Sequence, residues 1–250
     1  MNTAIHKTLG GILFVVLPLC AMVSFTGRQA DITGRQSDMI RIKKTTDFPL
    51  SGDGSHANWE KTDWLTLPAR SASATYTTRV KTLYSATGMY FLYFCEDKKL
   101  TVTMEADFLD LWNEDVIEVF IQPDAKRPAY FEYELSPLNY ELPILIYNDS
   151  GRLNSWQPFH YNEDQKTRHL TAVQGGEKKS MASVKSWTAE FFIPFKAMKM
   201  IADEIPQSGT RWKGNLYRID YDTGEESLYS WQRTSGNFHE YKRFGTFIFE

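Results

Sequence analysis

The chain has 250 residues and a net charge of -3, with 42% hydrophobic and 14% aromatic residues. That much apolar material can offset the entropy of folding, which excludes a disordered or collagen-like chain. Without a basic excess there is no electrostatic footprint for nucleic acid.

In chain order, the first feature is Lys7 followed by an uncharged stretch over 8–27 with an apolar centre at 12–25. This is the layout of a signal peptide or membrane anchor over 1–30 and predicts an exported protein, periplasmic, cell-surface or secreted. Leu17-Pro18-Leu19-Cys20 offers a lipobox, but bulky Leu19 stands where a small residue is wanted. Beyond it Cys95 is alone, so no intrachain disulfide can form despite an oxidising destination. The polar stretch 31–50 reads as a linker, and the domain is expected to run over 51–250. Neither a repeat nor a second composition shift divides it.

Short runs rich in β-branched and aromatic residues then recur at 79–85, 89–96, 100–105, 115–122, 129–136, 143–147, 168–174, 187–193, 216–221, 228–231 and 243–249. Such spacing predicts an all-β fold, an antiparallel, jelly-roll-like β-sandwich. One short helix is expected at 195–202, after Pro194.

Ile117, Val119 and Ile121 alternate with Val116, Glu118 and Phe120, so the all-apolar set faces the core and Glu118 projects from the other face. Trp112 stands just ahead, on a loop with Glu105, Asp107, Asp110 and Glu114. An indole beside a carboxylate suits a sugar: the ring packs on C–H groups and the carboxylate accepts from hydroxyls. A core Trp with a solvated Glu is the plainer alternative.

Several stretches together resemble carbohydrate-binding module family 9, the xylanase-associated, DOMON-like β-sandwich. They are Asp53-Gly54 with Trp59, Arg79-Val80 leading to Met89 through Tyr93, Leu111 through Phe120, Trp187 through Phe195, Trp212 to Asp220, and Phe244-Gly245. The resemblance covers 51–250. It implies carbohydrate binding in polysaccharide catabolism alongside glycoside hydrolases, with a polysaccharide or oligosaccharide as partner and no catalysis by the module itself. It also implies a sugar held between two rings, here Trp112, six residues before Glu118, and Phe238. Where xylanase-linked modules place a sugar-contacting Arg, this chain has Glu132. An acceptor thus replaces a donor, and the identity of the sugar does not carry over. Trp231 and Trp156 are further rim candidates, and most other aromatics are expected in the core.

Asp220, Asp222 and Glu225 around Gly224 are hard oxygen ligands. Family modules often carry structural calcium, so calcium is left open, without an EF-hand spacing to locate it. The five histidines form no zinc-ligand pattern. Two other functions compete: a glycoside hydrolase using Glu118 with Glu132 or Glu134, and a haem-binding relative using Met104, Met181 and a histidine, although no CxxCH is present.

Overall fold

The structure is a computed structural model and describes residues 1, 36–149, 152–160 and 162–250. The expected export segment over 1–30, with Cys20, lies outside the described residues apart from Met1. No helix among the described residues is long and apolar enough to cross a membrane.

Thirteen strands build the fold: β1 (Met39–Lys44), β2 (Leu65–Thr66), β3 (Thr78–Tyr84), β4 (Gly88–Glu96), β5 (Val116–Gln122), β6 (Ala129–Leu135), β7 (Glu141–Asp149), β8 (Arg152–Pro158), β9 (Arg168–Gln174), β10 (Ser186–Pro194), β11 (Arg211–Asp220), β12 (Ser227–Ser230) and β13 (Gly245–Phe249). They form one curled sheet in the order β8-β7-β6-β5-β11-β13-β1-β3-β4-β10-β9, with β12 on β11 and β2 on β3. The two halves fold onto each other as a sandwich. Tyr133 of β6 meets Phe191 of β10 at 5.0 Å between ring centroids, and the Tyr93 hydroxyl of β4 donates to the Glu118 carbonyl of β5 at 3.1 Å. Ile117, Val119 and Ile121 point into this core, as their alternation requires. The other face of β5, β6, β7 and β11 carries a second, smaller apolar cluster that includes Phe120, Tyr130, Ile144, Ile146 and Tyr217.

Three expectations need correction. The linker over 31–50 contains β1, which runs parallel to both β13 and β3 and joins the two halves of an otherwise antiparallel sheet. Ile40 and Ile42 are buried and alternate with basic residues, so a half-buried strand was hidden in a charged hexapeptide. The run at 100–105 is not a strand. Leu100 and Val102 are buried, but the N–H groups of Thr101, Thr103 and Met104 donate to the carboxylates of Asp115 and Glu114 instead of to a neighbouring strand. The helix at 195–202 shrinks to a 3-10 turn over Phe195–Met198, whose Met198 carbonyl accepts from the Ile201 and Ala202 N–H groups.

Candidate functional site

The outer face of β5, β6, β7 and β11 opens into a cleft of about 650 Å³. Glu118, Glu132, Ile144, Ile146 and Ile219 supply its sheet-borne part, and each is at most 6% exposed. Trp112 and Trp156 stand together on the lining, edge to face at 5.4 Å and 85°. The loop from Arg233 to His239 brings Phe238 to the same space. Phe238 lies flat on Tyr217, 3.9 Å between centroids, and its carbonyl accepts from the Tyr217 hydroxyl at 2.9 Å. Asn148 Nδ2 holds the next carbonyl, that of His239, at 2.6 Å. Fixed at three points, the loop presents its ring without further ordering cost on binding.

The strand register sets the electrostatics. Glu118 sits directly across from Glu134, and Glu132 across from Phe120 on the same face. Like charges opposed on a sheet repel. Burial pushes the Glu132 carboxyl from its ordinary 4.5 up to about 8. Burial, then the negative charges of Glu132 and Glu226, holds Glu118 well above the carboxylate range. Burial, then Glu118 and Glu132, does the same to Glu134. His239 supplies no counter-charge: burial lowers it to about 4, so the imidazole is neutral at 3.8 Å from Glu132 Oε2 and shares a 2.7 Å hydrogen bond with the Tyr130 hydroxyl. At neutral pH the floor therefore offers protonated carboxyls, each a donor as well as an acceptor. Apolar rings beside groups that can give and take hydrogen bonds suit a ligand with C–H faces and hydroxyl edges.

The sequence over residues 51–250 matches the family described as carbohydrate family 9 binding domain-like. The chain belongs to this family. An extracellular protein of Arthroderma benhamiae is 26% identical over 167 residues, covering 64% of this chain and 68% of the relative. A Bacteroides uniformis crystal structure of a candidate carbohydrate-binding protein superposes with a TM-score of 0.71 at 15% identity, covering 85% of this chain and 99% of that one. A family 9 module of Caldicellulosiruptor kristjanssonii in complex with cellotriose gives 0.59 at 13% identity, over 84% and 94% of the two chains. Its complex with glucose gives the same score and identity, over 84% and 96%. At these identities the likeness to the solved structures is one of fold.

Within this family 9 sandwich, Trp112, Glu118, Glu132 and Phe238 share one cleft, and Trp156 joins them. Trp231 does not. It is 1% exposed in the main core, stacked on Phe247 at 5.5 Å, with its indole N–H donating to the Ser37 carbonyl. Gly245 makes this possible, because a Cβ there would come within 2.2 Å of the Trp231 ring. Trp59 is also buried and donates to Glu190 at 2.8 Å. Sequence reasoning missed Ile144, Ile146 and Ile219 as lining residues, although β7 reads apolar on both faces, which signals a second buried surface. Arg70 and Arg233 also line the cleft and left no local signal.

The expected calcium ligands are only partly together. Asp220 and Asp222 join Asp97 and Asp115 in a group whose carboxylate oxygens lie within 4.8 Å of one another; Glu225 is not among them. Arg218, fully buried, donates to Asp97 at 3.0 Å and Asp220 at 2.6 Å. Burial raises Asp97 to about 7 against the pull of that guanidinium. Four carboxyls against one arginine leave an acidic excess; Asp97 Oδ2 already accepts from Arg218 and Trp187 and Asp222 Oδ2 from Tyr76 and the Lys98 N–H, so Asp97, Asp115, Asp220 and Asp222 would hold a hard cation through their other oxygens. The haem ligands do not assemble: Met181 is 47% exposed, while Met104 packs against the second cluster. Cys95 is buried, and that burial pushes its thiol up to about 12, leaving it unreactive.

Proposed function

We propose that the protein is an exported carbohydrate-binding module with no catalysis of its own, taking glycan ends or short oligosaccharides in the Trp112–Phe238 cleft. The observation that carries this reading is the convergence of Trp112, Trp156 and Phe238 with the Glu118 and Glu132 carboxyls in one open cleft. The glucose and cellotriose complexes of the Caldicellulosiruptor modules support hexose oligosaccharides as the ligand class, and the extracellular relative supports export. A role beside glycoside hydrolases in polysaccharide breakdown fits both. Trp112 and Phe238 would supply ring contacts, and Glu118 and Glu132 the hydrogen bonds.

Affinity electrophoresis against plant, algal and host polysaccharides tests the reading. Trp112→Ala is expected to weaken the binding found by about 1 to 3 kcal/mol, the scale of one aromatic contact. Loss of the fold instead would make Trp112 a packing residue.

One observation favours a second reading, a glycoside hydrolase: the Glu132 carboxyl, raised to about 8, is protonated at neutral pH as a general acid must be. Sustained reducing-sugar release that disappears in Glu118→Gln would establish it. The binding reading expects none.

A further inference from the structure

Beside the cleft lies a second cavity of about 650 Å³, and Arg70, Arg233, Thr234 and Ser235 belong to the lining of both. Arg243 also lines the second cavity, and among the described residues no aspartate or glutamate does. Neither Arg70 nor Arg233 forms an ion pair with a carboxylate among the described residues. Arg70 is half-buried and held in place: Nε donates to Ser230 Oγ at 2.8 Å, and Nη2 donates to the carbonyls of Ser230 and Trp231 at 2.9 Å. These bonds leave Nη1 uncommitted. Burial, then the like charge of Arg233, lowers the Arg70 guanidinium from its ordinary value, so the two cations stand close enough to repel. The acids nearby do not cancel them. Glu240, on the same loop as Arg233, accepts from the Ser235 and Gly236 N–H groups and lies 3.9 Å from Arg243 Nε. Glu226 lines the cleft but not the second cavity, and Glu118 and Glu132 keep their protons at neutral pH.

A half-buried guanidinium without a counter-charge has exchanged water for neutral acceptors only, and a second one beside it adds repulsion. An anion seated between them would offset both costs. The planar fork of arginine suits a carboxylate or sulfate group, whose oxygens can accept two parallel hydrogen bonds. We infer that the second cavity is an anion subsite of the cleft: the glycan bears an acidic substituent, carboxylate or sulfate, on a sugar beyond the one held by Trp112 and Phe238, and that group seats on Arg70 and Arg233. This deepens the carbohydrate-binding reading and rests on it. The two cavities then divide the ligand by chemistry. Rings and neutral carboxyls meet the hydroxylated body of one sugar, and the arginines meet the charge of another. Arg70 is prearranged by Ser230 and Trp231, so the ordering cost of seating the anion falls on Arg233. The chain carries a net charge of -3, so a preference for anionic glycans would not come from its overall field.

Calorimetric titration of the purified protein at low ionic strength, with three β-1,4-linked trisaccharides that differ only at C6, tests this: cellotriose, the glucuronic acid trimer and 6-O-sulfated cellotriose. At least one acidic trimer is expected to bind about tenfold or more tightly than cellotriose, and which of them does so tells carboxylate from sulfate. In Arg233→Gln the advantage should shrink to within about threefold, and in the wild type it should fall as salt is added. Arg70→Gln, verified as folded by circular dichroism, should shrink it too. Arg233 is exposed and makes no ion pair among the described residues, so its variant carries the test even where Arg70→Gln fails to fold. Cellotriose binding as tightly as both acidic trimers would overturn the inference and leave the carbohydrate reading intact. An acidic preference that survives unchanged in Arg233→Gln would overturn it as well, because the charge would then be read elsewhere. Binding of none of the three ends it, and the polysaccharide screen alone then decides the broader reading.

Discussion

The substitution Glu132→Gln tests the electrostatics of the cleft floor without reference to any ligand. Burial raises this carboxyl from 4.5 to about 8. For an acid whose folded value lies above its unfolded one, stability is fully present below 4.5 and is lost as pH rises toward 8, because the unfolded chain gives up the proton first. At pH 7, about 2.5 pH units above the unfolded value, the loss is roughly 3 kcal/mol at about 1.4 kcal/mol per unit. Gln keeps the shape and has no proton to hold, so that loss disappears. Against this stands a buried amide, which costs about 1 to 3 kcal/mol where its hydrogen bonds are unmade; here the acceptors of Glu134 lie nearby, which favours the low end. The variant should therefore be more stable than the wild type by about 1 to 2 kcal/mol at pH 7, with the advantage gone or reversed near pH 4.5. Urea unfolding followed by tryptophan fluorescence at several pH values measures this, provided the slope with denaturant is unchanged. A variant less stable than the wild type at pH 7, with a parallel pH profile, would mean that Glu132 is ionised and paired in the folded protein.

Two other substitutions and a truncation probe the frame around the site. Arg218→Met should destabilise by about 3 to 5 kcal/mol in the same urea assay, because Asp97 and Asp220 lose the guanidinium they share; a loss under about 1 kcal/mol would show that the four acids are neutral without it. Trp231→Ala should cost about 3 to 5 kcal/mol of stability while sugar affinity of the folded protein stays within twofold, since the ring is enclosed between Phe247 and Gly245. A chain beginning at Ser51 should show no cooperative thermal transition by near-ultraviolet circular dichroism, whereas one beginning at Gln36 should melt cooperatively. The shorter chain lacks Ile40, Ile42 and Phe48, each at most 5% exposed and together worth about 5 kcal/mol or more, comparable with the stability of a whole domain.

Strand alternation made much of the site legible. The 115–121 segment alone assigns Ile117, Val119 and Ile121 to the core and Glu118 to the opposite face, and the register bears this out through the Glu118–Glu134 pair. It could not tell that the opposite face was also covered, which turns a solvated carboxylate into a buried one. That cover comes from elements distant in sequence, β8 with Trp156 and the loop with Phe238. β8 carries the polar sequence Arg-Leu-Asn-Ser-Trp-Gln-Pro and pairs with β7 at the end of the sheet, so it has little need of β-branched residues and gave no strand signal. Trp231 misled for a related reason. A strand end does not fix which way an indole turns, and the residue that decides it is Gly245, fourteen positions later.

The same comparison explains why the carboxyls of the floor persist. Apolar residues at 132 and 134 would continue the cluster of Phe120, Tyr130, Ile144 and Ile146 and would remove a loss of roughly 3 kcal/mol at Glu132 alone at neutral pH. Residues that cost stability in this way are found where binding uses them. In the main core the buried acids hold other side chains in place: Asp97 anchors the Trp187 indole and Arg218, and Glu190 anchors Trp59 and the turn at Ser51. Glu132 and Glu134 instead hydrogen-bond to each other, which requires that one of them keep its proton. Under the carbohydrate reading, Glu118 and Glu132, the two acids that line the cleft, would exchange hydrogen bonds with the hydroxyls of a bound ligand. A ligand that can neither give nor accept hydrogen bonds would leave those two carboxyls desolvated without return, so on that reading they would discriminate between ligands as the rings beside them do.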